Sequence, residues 1–286
     1  MSTLLLQIFS DIHIELWNKM PEIPVMAKYL FLAGDIIQLN HPLFYKFFDY
    51  CSANWEKVFY TPGTHEFYSK KKNYNEINFE YKLRLQESYK NIYYLNNESV
   101  QLNDEIDIYG SVFWTFPEFT SIFEAKMFTT DYNNITYFKK EVNKVVPLDI
   151  NYVKQLSNES FNLLQIYLNQ SSNKNSNKKT IIMTHFPPLK TGTINPINPI
   201  NPINDNPLLI NYLSWNDETT NNFNLSNVPI WISGHTHWSY NIKKKGCNFI
   251  GNQIGYKSEI GSTGLIENGI FEFDLYLFDY FLDFFL

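Results

Sequence analysis

Six apolar runs of strand length recur along the chain: LLLQIFSD, YLFLAGD, KVFYTPG, IDIYGSVFW, TIIMTHF and VPIWISGH. Each is short, rich in β-branched or aromatic residues, and ends in or near Gly, Asp, His or Pro. That pattern reads as a strand running into a turn. Between the runs, HPLFYKFFDYCSANW, INFEYKLRLQESYKNI and DINYVKQLSNESFNLLQIYL carry helical spacing. In the last of them Val153, Leu156, Phe161, Leu164 and Leu168 fall roughly along one face. Strand alternating with helix predicts an α/β fold with parallel strands covered on both faces. In such sheets the ligand site lies at the carboxyl ends of the strands.

Two segments break the pattern. NQSSNKNSNKK (169–179) is polar and reads as a connection between a helix and the next strand. INPINPINPIND (194–205) repeats proline every third position and reads as an extended surface loop; its position close after THFPP leaves a lid or a partner contact as the rival reading. The C-terminal IFEFDLYLFDYFLDFFL begins as a final strand. From Tyr276 on it is apolar except for Asp279 and Asp283, so the chain divides into a domain over 1–275 and an apolar tail over 276–286. The tail is too short to span a bilayer, and its acidic face does not suit anionic lipid. Packing on the body of the protein or in a homodimer interface is expected.

Composition narrows the chemistry. At 286 residues the chain can bury a sizeable core. A formal net charge of -6 argues against strong nucleic-acid binding, which relies on cations against phosphates. Arg84 is the single arginine, so an anionic substrate must be held by Lys, backbone N–H groups or metal ions. Two cysteines, Cys51 and Cys247, make no disulfide framework, and the N-terminal run in MSTLLLQIFSDIH is too short for a signal peptide with its flanks and reads as a first strand; a reducing, cytoplasmic location is expected.

Five of the six histidines, His13, His65, His185, His235 and His237, fall at strand ends, with Asp11 and Asp35 in the same layer. His41 stands apart beside Pro42, where a helix-capping or surface role is expected. Imidazole and carboxylate without thiolate suit zinc, manganese or iron. Asp11-x-His13 places both side chains on one side if the strand alternation continues, and His235-x-His237 does the same. So many ligands exceed the needs of one tetrahedral ion. Two metals sharing a carboxylate would account for them, a clamp suited to displacement at phosphorus.

The order Asp-x-His, Gly-Asp, Gly-x-His-Glu, His, Gly-His-x-His resembles the calcineurin-like metallophosphoesterase superfamily. It runs from Ser10 to His237, and GSVFWTF and NQIGY resemble further segments of that family. The resemblance implies a four-layer sandwich of two mixed β-sheets flanked by helices. It implies Asp11, His13 and His237 at a first metal, and His185 and His235 at a second. Asp35 would bridge both, a catalytic position. A metal-bridging hydroxide would attack the phosphorus of a phosphate mono- or diester, and His65 would bind the substrate and give a proton to the leaving oxygen. The implied cofactors are two divalent ions, manganese first, with iron, zinc or magnesium as alternatives. Glu66 would be structural.

Two departures matter. Thr64 stands where the family has an asparagine that touches the second metal and the substrate phosphate. Threonine reaches less far and is a poorer neutral ligand, so the second site should be the weaker. Gln38 stands where some branches carry an acid that orients the catalytic histidine; a backbone carbonyl is the expected substitute. Tyr68 and Trp114 would flank the metals, with core packing the simpler account, and Lys70, Lys71 and Lys72 read as a solvated face. The leading function is a dinuclear phosphoesterase acting on a small phosphate ester. A phosphoesterase-like binding scaffold with a weakened second site is the alternative, and a nuclease of the same superfamily a third.

Overall fold

The computed structural model describes residues 3–17, 20–173, 178–196 and 207–274. In chain order the strands are β1 (Thr3–Phe9), β2 (Tyr29–Ala33), β3 (Lys57–Thr61), β4 (Ile92–Tyr94), β5 (Glu98–Gln101) and β6 (Ile106–Ser111). After them come β7 (Thr136–Lys139), β8 (Lys144–Pro147), β9 (Lys179–Thr184), β10 (Ile230–Ile232), β11 (Tyr240–Lys244), β12 (Cys247–Gly251) and β13 (Ile270–Asp274). The helices are α1 (Phe44–Asn54), α2 (Tyr74–Ser88), α3 (Ile122–Phe128), α4 (Asp131–Asn134), α5 (Ile150–Asn173) and α6 (Pro207–Leu213).

Two mixed sheets carry the fold, one in the order β13-β1-β2-β3-β4 and one in the order β11-β12-β10-β9-β6-β5. In each, the inner strands are parallel and the outer pairings β13–β1, β11–β12 and β5–β6 are antiparallel. Register aligns Ile8, Phe31, Phe59 and Tyr93 in one row, with the Phe31–Phe59 and Phe59–Tyr93 rings stacked 5.0 and 5.5 Å apart. The strand side-chain period of two decides the layers. Leu6, Ile8, Phe31, Phe59, Ile108, Ile181, Met183 and Ile232 face the other sheet. Their alternates Leu30, Leu32, Val58 and Tyr60 meet α1 and α2, while Ile182, Trp231 and Phe249 meet α5. The result is helix, sheet, sheet, helix, the four-layer sandwich. Each fully buried Leu, Ile or Phe contributes about 1.5–3 kcal/mol, so the two central strand rows are strongly fixed in register.

All six apolar runs coincide with strands, and the three helical stretches overlap α1, α2 and α5. Two boundaries moved: α5 runs on to Asn173, into the polar segment read as a connection, and α2 starts early for a local reason. The sequence predicts the second helix from Ile77, but Asn73 starts it earlier: its side chain accepts from the Asn75 and Glu76 N–H groups while Glu76 returns a bond to the Asn73 N–H. Both faces of the parallel strands are covered as expected, though one cover is the partner sheet rather than helices. Lys244 and Lys245 sit at the β11–β12 hairpin. Most of the proline repeat and the tail from Tyr276 lie outside the described residues. Among the described residues no helix is long and apolar enough to cross a membrane.

Candidate metal centre

β1, β2, β3, β9 and β10 all end at one edge of the sandwich, and every candidate ligand follows one of those ends. The local geometry is not strand alternation. β1 stops at Phe9, Ser10 makes one bridge to Gln253, and Asp11 and His13 then both adopt left-handed backbone, φ 53° and 50°. Asp35 (55°), His235 (74°) and His237 (52°) do the same. Five of the nine described non-glycine residues with positive φ are therefore ligand candidates. This conformation disfavours side chains and concentrates where surrounding structure enforces it, typically at functional sites.

Glycines let the loops close. A Cβ on Gly63 would sit 2.5 Å from the Asp35 nitrogen and 2.7 Å from His185 Cε1; one on Gly234 would sit 2.6 Å from Asp11 Oδ2. Glu66, fully buried, ties two of the loops together. It accepts from the N–H groups of Asp35 (3.1 Å), Ile36 (2.7 Å) and Gly63 (2.8 Å) and from the Tyr60 hydroxyl (2.7 Å), the structural role expected of it. The NQIGY segment holds the first loop, with the Ile254 and Gly255 N–H groups donating to the Ser10 and Asp11 carbonyls.

Three groups of possible donors result: Asp11 with His13 and His237, Asp35 with His185 and His235, and His13 with Glu15 and His65, which shares His13 with the first; the first two match the ligand sets expected from the sequence. In the first, His13 Nε2 lies 3.1 Å from His237 Nε2, and Asp11 Oδ1 lies 3.6 Å from the latter. In the second, His185 Nε2 lies 3.1 Å from His235 Nδ1 and 3.5 Å from Asp35 Oδ1. The other oxygen, Asp35 Oδ2, lies 3.9 Å from His13 Nε2, so this carboxylate stands between the groups. Thr64 is buried, makes no helix-capping bond with its side chain, and lines the adjoining cavity.

Outer partners set the histidine tautomers. His237 Nδ1 faces Glu259 Oε2 at 2.6 Å, and His13 Nδ1 faces Glu15 Oε1 at 3.3 Å. With those nitrogens donating, neutral rings would set two Nε2 lone pairs against each other, an arrangement that a proton or a metal cation between them relieves. His185 Nδ1 donates to the Ala33 carbonyl at 3.1 Å, which turns its Nε2 lone pair toward His235. The buried His235 Nε2 has no protein partner. The donor set fits divalent cations.

The electrostatics of the ligand candidates differ: burial opposes charge on His237, but the Glu259 bond and the Asp11 carboxylate raise it above the ordinary imidazole range, and burial raises Asp35. Burial holds His185 and His235 below the ordinary imidazole range, so both are neutral donors. Burial also pulls His13 down to about 3 and pushes the Asp11 carboxyl up to about 6, against the pull of His237. His65 goes the other way. Burial opposes its charge, but the Asp35 carboxylate and the Glu15 bond raise it to about 9. Burial opposes the Glu15 charge as well, yet bonds from His13 and His65 hold that acid at about 2.

His65 stands beside the first two groups rather than within either pair of facing nitrogens. Its N–H donates to Asp35 Oδ1 (2.8 Å), its Nδ1 faces Glu15 Oε1 (3.0 Å), and its Nε2 is 4.0 Å from Asp35 Oδ2. Glu15 rather than a backbone carbonyl therefore orients the ring, which corrects the sequence expectation. Tyr68 stacks on His65 at 4.3 Å. The Tyr256 ring packs edge-on against His237 at 4.4 Å and tilted over His13 at 4.7 Å. Trp114, by contrast, is core, 1 % exposed and donating toward the Tyr74 hydroxyl. His41 Nδ1 accepts from the Leu43 N–H at the start of α1, and Lys72 pairs with Glu80 away from the site.

A cavity of about 330 Å³ opens over the histidines, lined also by Tyr68, Asp131, Tyr212, Tyr256 and Glu259. Sequence reading missed Glu15, Asp131 and Glu259. Only Glu15 carries a local signal, as the third member of Asp11-x-His13-x-Glu15.

The family model for calcineurin-like phosphoesterase matches residues 6–239. The chain is 32% identical over 278 residues to protein L509 of Acanthamoeba polyphaga mimivirus, covering 89% of this chain and 92% of that protein. Among solved structures, phosphopantetheinyl hydrolase from Mycobacterium tuberculosis superposes with a TM-score of 0.62 at 15% identity, covering 94% of this chain and 95% of that one. That likeness is one of fold.

Proposed function

This chain belongs to the calcineurin-like phosphoesterase family, and from that premise we propose that it is a dinuclear metal-dependent phosphoesterase hydrolysing small phosphate mono- or diesters. The observation that carries the reading is the position of Asp35, whose two oxygens lie 3.9 Å from His13 Nε2 and 3.5 Å from His185 Nε2 and so address both donor groups. Asp11, His13 and His237 would hold one ion, and His185, His235 and Thr64 the other. Two divalent ions, manganese foremost, would when bound supply a water of lowered pKa and neutralise charge on the phosphoryl oxygens.

The protein's own residues do the rest. Glu15 takes the Nδ1–H of His65, and the stacked Tyr68 ring fixes the imidazole plane. With Nδ1 tied to Glu15, His65 turns Nε2 toward Asp35, where as an imidazolium it would serve as general acid for the departing oxygen. Manganese-loaded protein should hold close to two metals per chain and hydrolyse aryl phosphate mono- or diesters. A stoichiometry at or below one, with no hydrolysis, overturns the reading and favours the scaffold alternative.

A further inference from the structure

The cavity wall is acidic and aromatic. Among the described residues lining it, Asp35, Asp131 and Glu259 are carboxylates and none is Lys or Arg. Asp131 is 2 % exposed, and its two oxygens accept from the Tyr68 hydroxyl at 2.6 Å and the Tyr212 hydroxyl at 2.5 Å. It takes part in no described ion pair. Nearby ammonium groups are turned elsewhere: Lys257, the neighbour of Tyr256, lies over the Trp17 ring at 5.4 Å, and Lys190 reaches Asn211 at 3.0 Å. Tyr68, Tyr212, Tyr256 and Phe128 supply the ring surface.

One phosphate group has counter-charges here, His65 and the ions proposed above. A second anionic group on the same substrate has none and would face Asp131 or Glu259. Like charges in a partly water-excluded cavity repel strongly, and an unpaired charge is an effective way to reject a competitor. Aromatic faces favour a flat ring or a cation. The space, about 330 Å³, suits a small ester. We infer that the substrate is an ester with a single phosphate group whose remaining part is compact, ring-bearing and not anionic. Nucleoside di- and triphosphates and phosphorylated acids are excluded. The inference rests on the phosphoesterase reading.

The test compares three phenyl phosphates with para substituents of different charge: carbamoylmethyl (neutral) and carboxymethyl (anionic), which hardly differ in leaving-group acidity, and aminomethyl (cationic), whose rate is corrected for its more acidic phenol. With manganese-loaded protein, kcat/KM for the first two should exceed that for the third by about tenfold or more. Thr130 lies exposed on the cavity rim with its hydroxyl 2.7 Å from that of Tyr68, so Thr130→Arg adds a cation there and Thr130→Val controls for the lost bond; the arginine variant should shrink the gap to about threefold or less and the valine variant should not. Equal rates for the carboxymethyl and carbamoylmethyl esters, or a gap indifferent to Thr130→Arg, overturn this inference alone. Hydrolysis of none of the three, nor of the corresponding aryl methyl phosphate diesters, overturns the phosphoesterase reading and this inference with it.

Discussion

Glu15 Oε1 lies 3.0 Å from His65 Nδ1, fifty positions along the chain, and 3.3 Å from His13 Nδ1. One carboxylate thus couples a ligand candidate of the first donor group to the proposed proton donor. It occupies the role that an acid at position 38 would fill, where the chain has Gln38. Its second oxygen is buried without a protein partner, so the two imidazoles are what hold its charge.

Loss of that coupling should be visible in both rings. Glu15→Gln is expected to lower kcat by about 10–100-fold, the usual effect of removing an outer partner, with a smaller loss of bound manganese. His65→Ala should lower turnover further while leaving metal content near that of the parent. Kinetics paired with metal analysis separates the two effects, and nitrogen NMR of His65 in the metal-free protein should show its Nδ1 proton released from Glu15. Parallel losses of metal and turnover in His65→Ala would make His65 a ligand instead.

The charge on His65 links folding to pH. Its value in the folded metal-free protein, about 9, stands above the ordinary 6.5, so the folded state binds this proton more tightly than the unfolded chain. That stabilisation is fully present below about pH 6.5 and is lost as pH rises through about 9. Asp11, raised by burial to about 6, acts with the same sign over a lower range. Calorimetry of metal-free protein should therefore show Tm falling across the alkaline window, and His65→Asn should flatten it. A parent profile already flat there would mean that Asp35 and Glu15 do not hold the proton.

Gly63→Ala tests the packing of the edge. Its new methyl would collide with the Asp35 carboxylate and His185, and Asp35 serves both donor groups. Metal binding should fall at both sites, by about tenfold or more if the displaced carboxylate follows the pattern of disrupted outer partners. Far-UV circular dichroism should stay unchanged, because the contact lies beyond the end of β3. Two intact sites in this variant would mean that Asp35 has room to move.

Thr64→Asn should raise affinity at the second site and with it turnover. The Thr64 side chain makes no capping bond and lies in the cavity wall, so a longer amide meets no competing role. Manganese titration by calorimetry measures the weaker dissociation constant directly. Unchanged affinity and rate would show that Thr64 is no handicap.

Much of this site was legible in the sequence because strand ends announce themselves: Asp11, Asp35, His65, His185 and His235 each follow an apolar run. What failed to show was whatever depends on distance in the fold. Glu259 is 22 residues from His237 in a short 3-10 turn, and Asp131 meets Tyr68 across 63 residues. Single acids in polar loops carry no periodicity. The β7–β8 hairpin and α3 were missed for the opposite reason. Phe123, Met127, Phe138 and Val145 are exposed, so their apolar residues do not mark a buried face. The convergence of Asp11 and His13 was foreseen, but its cause lay in backbone turns that no alternation of residues encodes.

Those turns have a further consequence. Five Asp and His residues hold a conformation that glycine or asparagine adopts more easily, at a cost of about 1 kcal/mol or more each. A lineage with no use for the ions could gain stability by relaxing any of them, since substitutions that relieve strain at a site are commonly stabilising where function no longer needs it. A relic would be expected to soften first at these five positions. This chain keeps Asp or His at all five, whereas Thr64, the position expected from the resemblance to carry an asparagine, has an unstrained backbone.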